Sequence, residues 1–402
     1  MAHRMLLFLS AMCCCCCSAV AVDRAWVRHT IDDGSQGADG VRLGDMDQDG
    51  RVDIVTGWEE GGAIRICFGP QTAQVRSRWP VAQIGSVKSP EDAVFADVTG
   101  DGWLDVVSCC EGKTQTVFLH ISPGESGASV RDARRWQTIP VQSTVGLTRW
   151  MFCQPLPDGR LVLGSKNPNG QIAIAKLDAD GQAELRVLRR CGWIMSLVAE
   201  DLDRDGDVDI VYSDRRGPDR GIGWLENNGV DWTDHPMGGH DVEPMFLKVV
   251  RQASAAEQTD EPAVFCDTKQ KLVLQLSPDG PLNQPWLARR IPRPQPVGSG
   301  KAVAVGDIDG DGVQDVVCSC EHAGGVSGVY WMPVQPPDSH EVTWEDISGT
   351  DEGVKFDRLE LIDIDKDGDL DVLTCEERDG LGVVWYENPH NRAIPPVGKS
   401  SQ

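Results

Sequence analysis

Five nine-residue segments of this chain place aspartates at a spacing that suits a hard cation. They read DMDQDGRVD from Asp45, DVTGDGWLD from Asp97, DLDRDGDVD from Asp201, DIDGDGVQD from Asp307 and DIDKDGDLD from Asp363. Oxygen donors at positions 1, 3, 5 and 9 of a glycine-containing turn are the donor set that Ca2+ prefers. None of the five carries a glutamate at position 12, so the helix-opening behaviour of sensor loops is excluded. Without a cation the carboxylates of one loop repel each other; with one, the loop closes and its flanking strands fall into register. Near-equivalent sites spread along a chain suit a scaffold better than an active centre, so structural Ca2+ is the expected role. The second loop, with Thr99 and Trp103, is the atypical one.

A second set of polar residues recurs at a fixed offset. Six residues beyond the last loop aspartate stand Glu59, Glu111, Glu321 and Glu377, with Glu60, Asp214 and Glu376 beside equivalent positions. Arg215, Arg216, His322 and Arg378 are interleaved with them. The segments entering the first strand of each unit add Glu91, Asp92, His240, Asp241, Glu243, Lys301 and Lys355. Such groups converging on one mouth could bind a sugar, a peptide or a further cation. Paired carboxylates could also act as acid and base on a glycan. The plainer reading is that turns are polar and that duplicated repeats copy them. The ligand-binding candidates are Glu59, Glu111, Asp214, Arg215, Glu321, His322, Glu376, Glu377, Lys301 and Lys355. No nucleophile elbow or phosphate-binding glycine loop accompanies them, and no catalytic residue is marked.

The elements that must position these groups follow from the period. The first loop aspartates lie 52, 104, 106 and 56 residues apart, so each doubled gap should hide a worn repeat. One is MFCQPLPDGRLVLGS from Met151, and the other runs from FLKVV at Phe246 to PAVFCD at Pro262, which makes seven units. Each unit reads as short strands with turn punctuation and no helical period. A further strand opens with tryptophan at Trp26, Trp79, Trp136, Trp232, Trp286 and Trp344, with ELRVLR at Glu184 in the seventh place. The chain begins with such a strand and ends with a core that lacks one, so the N-terminal strand should complete the last blade. The expected fold is all-β: a single seven-bladed β-propeller with four-stranded blades over residues 22–389, closed in a ring. Several β-sandwich domains are the alternative, disfavoured by the uniform spacing. Trp224, Trp331 and Trp385 are expected to pack between blades. Trp150, Met151, Trp193, Ile194 and Met195 could face the central channel or fill the core, and the core is the expected place.

The loop-plus-strand unit resembles the FG-GAP or VCBS-type repeat, as in integrin α-subunit propellers and many secreted bacterial proteins. The resemblance implies that each loop joins the innermost strand to the next and holds Ca2+. It assigns Asp45, Asp47, Asp49 and Asp53 as ligands in the first loop, and Asp97, Thr99, Asp101 and Asp105 in the second. It likewise assigns Asp201, Asp203, Asp205 and Asp209, then Asp307, Asp309, Asp311 and Asp315, then Asp363, Asp365, Asp367 and Asp371. Units three and five depart from the pattern, and no metal is expected there.

Composition bounds the rest. Residues 1–21 carry an early Arg4, an apolar run from Met5 through Cys17 and the exit Ala19-Val20-Ala21, the pattern of a cleaved secretory signal peptide. Export to the periplasm, cell surface or medium is therefore expected, with no transmembrane segment. A short Pro- and Ser-containing tail, 390–402, is expected to be flexible. Nine cysteines remain beyond the leader, an odd number with no repeating framework, so most should be buried free thiols. Net charge is −24, but the ligand positions of the loops hold 19 of the 62 acids, and five Ca2+ would leave about −14. That balance argues against nucleic acid or an anionic membrane as partner. The leading expectation is an exported, Ca2+-stabilised, non-catalytic module that binds a protein or polysaccharide through the face opposite the loops. A polysaccharide lyase or hydrolase at the central mouth is the runner-up, with Lys301, Lys355 and His322 as its test positions. A purely structural envelope component is the third possibility.

Overall fold

A computed structural model describes residues 26–390, apart from 125–126, 254–259 and 335–342. The leader expected over 1–21 and the tail beyond His390 lie outside the described residues. Seven four-stranded antiparallel sheets make up the fold. Their innermost strands are Ala38–Gly44, Pro90–Ala96, Arg149–Pro155, Ile194–Glu200, Pro244–Ala253, Ser299–Gly306 and Phe356–Ile362, in blades 1 to 7. Each packs against the innermost strand of the next blade, and the last packs against the first, so the ring is closed. Blade 7 adds Asp371–Glu376 and Gly382–Glu387, and its outer strand is the N-terminal Val27–Asp32, paired antiparallel to Gly382–Glu387. The three-plus-one closure expected from the order of the tryptophan strands is what the chain adopts, and sandwich domains are ruled out.

Sequence explains why these strands pack as blades. The second strands are apolar runs such as DIVTGW and DVVSCC; in blades 1, 2, 4 and 7 they are buried along their whole length, and in blades 3, 5 and 6 everywhere but at their ends, covered on both faces by neighbouring blades. Trp385 is fully buried between blade 7 and Ile54 and Trp58 of blade 1, and Trp224 packs among blades 4 and 5 beside Leu247 and Val264. Trp331 lies in the same buried cluster as Phe356 and Leu359 of blade 7. Four of the six tryptophans that open the outer strands bury their rings and find acceptors for their indole N–H, while Trp232 and Trp344 are half-buried. Trp79 donates to Val75 O (3.0 Å), Trp136 to Val130 O (2.8 Å), Trp286 to Leu282 O (3.0 Å) and Trp26 to Glu345 Oε1 (2.8 Å). The nine cysteines among the described residues are free thiols, eight of them buried. Where unit three has lost its loop, a tight turn replaces it: Gly159 N donates to Leu156 O and Leu156 N to Arg160 O.

One feature is common to all seven blades and decides what the central channel presents. Near its start every innermost strand slips register against its partner, between Asp39 and Arg42, Pro90 and Asp92, Trp150 and Phe152, Ile194 and Ser196, Pro244 and Leu247, Gly300 and Ala302, and Phe356 and Leu359. A bulge re-aims side chains that regular alternation would bury between blades. Here the bulges sit at the end of the channel away from the aspartate loops.

Candidate functional site

The five loops share one backbone conformation. Position 4 is left-handed in each, with φ of 56° at Gln48, 73° at Gly100, 64° at Arg204, 79° at Gly310 and 63° at Lys366. Position 6, always glycine, is left-handed as well, from 81° at Gly50 to 103° at Gly368. That curl folds the odd-numbered side chains towards one point. The carboxylate at position 1 collects loop amides: Asp45 accepts from Asp49 N and Gly50 N (both 3.0 Å), and Asp363 accepts from Asp367 N (3.1 Å) and Gly368 N (3.3 Å). One oxygen each from Asp45, Asp47 and Asp53 lies within 4.8 Å of the others, and Asp201, Asp203 and Asp209 form the same trio.

Position 9 has a second task that spacing alone does not reveal. Asp53, Asp105, Asp209, Asp315 and Asp371 are buried, and their oxygens pin the start of their own loop. Asp371 accepts from Ile364 N (2.9 Å) and from Asn388 N (3.0 Å) beyond the third strand; Asp53 does so from Met46 N and Gly69 N, and Asp209 from Leu202 N and Asn227 N. Burial, and then the neighbouring loop carboxylates, push Asp53 up to about 6 and Asp209 and Asp371 up to about 7 against the pull of those amides. Asp47 Oδ1 and Asp201 Oδ1 are buried and have no hydrogen-bond partner, a costly state that a cation would relieve. The donor set therefore fits Ca2+: hard oxygens, inward-facing and short of partners. Two loops also receive an arginine from a neighbouring blade, Arg131 on Asp47 (2.5 Å) and Arg76 on Asp365.

At the other end of the channel the bulged side chains meet the turns that follow the second strands. A cavity of about 590 Å3 opens there, lined by Asp39, Glu59, Glu91, Glu111, Lys166, Trp193, Met195, Arg215, Met245, Lys301, Glu321, His322, Val354, Lys355 and Arg378. Seven of the ten ligand-binding candidates line it. Glu377 sits one step back, in contact with Lys355. Asp214 and Glu376 do not reach it. Asp214 is buried under Gly192 N, Trp193 N (2.8 Å) and Arg189, and Glu376 accepts backbone amides from Val354, Lys355, Arg378 and Asp379. Both organise turns.

Ion pairs run round the mouth. Lys166 meets Glu111, Lys269 meets Glu321, Lys301 meets Asp357 at 2.5 Å, Lys355 meets Glu377, and Arg215 Nε donates to Glu243 at 2.9 Å. Burial works against the Lys301 ammonium, but Asp357 and Asp39 outweigh it and hold it above its ordinary range; Asp39 and Glu377 likewise raise Lys355. Burial, then Glu111 and Glu60, push Glu59 up to about 7. Burial also drives Asp39 and Glu91 well upward. On the opposite wall Lys166, Arg215 and Arg216 lie 4.5, 4.6 and 5.0 Å from the Trp193 ring. Trp193 and Met195, expected in the core, thus belong to the mouth, because the bulge before Ser196 turns this segment inward. Trp150, Met151 and Ile194 are buried as expected.

Asp39, Lys166 and Met245 are mouth residues that sequence reasoning missed, yet a signal existed for the first. Asp39, Glu91, Met195, Lys301 and Asp357 each stand six residues before the first aspartate of a loop. The offset mirrors the one that located Glu59 and Glu111.

An FG-GAP-like repeat family model matches residues 45–108, which span the first two loops. No curated protein matches the chain in sequence. The crystal structure of Saccharomyces cerevisiae Sqt1 superposes with a TM-score of 0.53 at 10% identity, covering 91% of this chain and 100% of that one, a likeness of fold alone. No helix among the described residues is long and apolar enough to cross a membrane. The closed ring is a seven-bladed β-propeller, and an FG-GAP-like repeat over residues 45–108 supplies the first two of its five like loops.

Proposed function

We propose that this protein is an exported, non-catalytic binding module. Ca2+ in the five aspartate loops holds the blades, and the central mouth on the opposite face takes a polysaccharide or protein ligand. The observation that carries this reading is the division of labour between the two ends of the channel. One end repeats a single loop conformation five times, as a scaffold would. At the other end, bulges at equivalent places present chemically different side chains to one cavity: carboxylates on blades 1 and 2, Met195 and Met245 on blades 4 and 5, and Lys301 on blade 6. Variation at a fixed place on a constant scaffold is how repeat folds build a recognition surface.

A lyase would need a basic side chain free to take a proton. Lys301 and Lys355 are each engaged by a carboxylate that stabilises the ammonium form, which makes them poor bases at neutral pH. Calorimetric titration against a panel of soluble polysaccharides, and pull-down from the matching secretome, test the binding reading in separate arms. We expect saturable binding in one arm that a Trp193→Ala, Arg215→Ala double variant abolishes with unchanged melting temperature. Binding that survives the double variant would place the ligand on another face.

A further inference from the structure

We propose that the central mouth holds a divalent cation of its own, bound by Asp39, Glu59 and Glu91 and distinct from the aspartate loops. Asp39 and Glu91 come from the bulged starts of the innermost strands of blades 1 and 2, and Glu59 from the turn after the second strand of blade 1. One oxygen of each lies within 4.8 Å of the other two. Oxygens that share a Ca2+ at about 2.4 Å stand no more than about 4.8 Å apart, a bound that the trio meets.

The charges around the mouth show why a cation belongs here. Lys166, Lys269, Lys301, Lys355 and Arg215 make their direct ion pairs with Glu111, Glu321, Asp357, Glu377 and Glu243. Asp39, Glu59 and Glu91 are left without a hydrogen bond to their side chains or an ion pair among the described residues. Asp39 gives the independent sign of a missing ligand. It is only 4% exposed, lines the cavity and accepts no hydrogen bond; Lys301 and Lys355 act on it through space but make their direct ion pairs with Asp357 and Glu377, whereas the comparably buried Asp92, Asp214 and Asp267 each bind an arginine directly. Three monodentate carboxylates do not fill the shell of a hard cation, which takes about six to eight oxygens for Ca2+ and six for Mg2+. The remaining positions face the cavity. An oxygen-rich ligand entering the mouth could complete that shell, which the loop sites, wrapped by their own backbone, cannot offer.

The test uses the full chain. Crystals grown in Ca2+ and exchanged into Mn2+ should show an anomalous peak between Asp39, Glu59 and Glu91 in addition to those in the loops. Loop peaks with none at the mouth would overturn the inference. In solution, Asp39→Asn with Glu91→Gln should lower bound metal by one equivalent with little change in melting temperature. Asp45→Asn should also remove one equivalent but should lower the melting temperature in Ca2+. A folded double variant that retains full metal content would overturn the proposal, and the crystal experiment decides if that variant does not fold. Ligand binding at the mouth that is insensitive to chelator, with the anomalous peak absent, would sink the cation while leaving the binding reading intact.

Discussion

Asp371→Ala separates two roles that the ninth loop position combines. Asp371 is fully buried and accepts amides from Ile364 (2.9 Å) and Asn388 (3.0 Å), which ties the loop of blade 7 to the end of the strand that receives the N-terminal segment. A hydrogen bond to a charged group contributes about 1.5–3 kcal/mol, and a buried amide left unpaired costs about 1–3 kcal/mol. Two such bonds give a gross loss of about 3–6 kcal/mol. Part is returned because the folded state no longer desolvates a carboxylate, so the net loss should be about 2–4 kcal/mol. For a propeller of this size that is a fall of roughly 3–5 °C in melting temperature. The comparison is Asp45→Asn at position 1, which keeps an acceptor for Asp49 N and loses a charged ligand. Urea unfolding in excess Ca2+ and in chelator distinguishes them. Asp371→Ala should be destabilised in both media, and Asp45→Asn only with Ca2+ present. If Asp371→Ala matched wild type in chelator, position 9 would be a metal ligand and nothing more, and the pinning role would be wrong.

Three further outcomes follow from individual contacts. Trp385→Ala, which empties the interface between blades 7 and 1, should cost about 3–5 kcal/mol in urea titrations. Arg293→Met leaves Asp267 buried without its guanidinium and should cost about 3–5 kcal/mol, whereas adding Asp267→Asn should recover part of the loss; an additive double variant would show that the pair is not coupled. His120 sits between the hydroxyls of Ser108 and Thr138 (both 2.9 Å), and burial alone pushes its imidazole from 6.5 down to about 3. Its contribution is intact above pH 6.5 and is lost as pH falls towards 3, by up to about 1.4 kcal/mol per unit. Stability measured between pH 7 and 4 should therefore fall less steeply in His120→Asn than in wild type.

The seven blades and their closure were legible because a repeat states its architecture many times. Even the worn units three and five kept their strands after losing their loops, since strand packing needs only apolar runs. The mouth was half legible. Glu59, Glu111 and Glu321 could be found from their offset to the loop aspartates, but a bulge leaves no mark in composition, so Trp193 and Met195 read as core. Asp214 and Glu376 read as ligand-binding candidates because sequence does not distinguish a carboxylate facing the mouth from one gathering buried amides. Asp39 was overlooked although it repeats an offset, because sequence does not show that Lys301 and Lys355 make their direct ion pairs with Asp357 and Glu377 instead.

The most direct test of calcium as the scaffold metal is one experiment on the protein freed of residues 1–21: metal content after gel filtration, paired with melts in Ca2+ and in chelator. We expect at least five equivalents of Ca2+. Chelation should lower the melting temperature by more than about 10 °C, because a site held at a hundredfold its dissociation constant contributes about 2.7 kcal/mol. A protein that elutes without calcium and melts at the same temperature in both media would contradict the scaffold role.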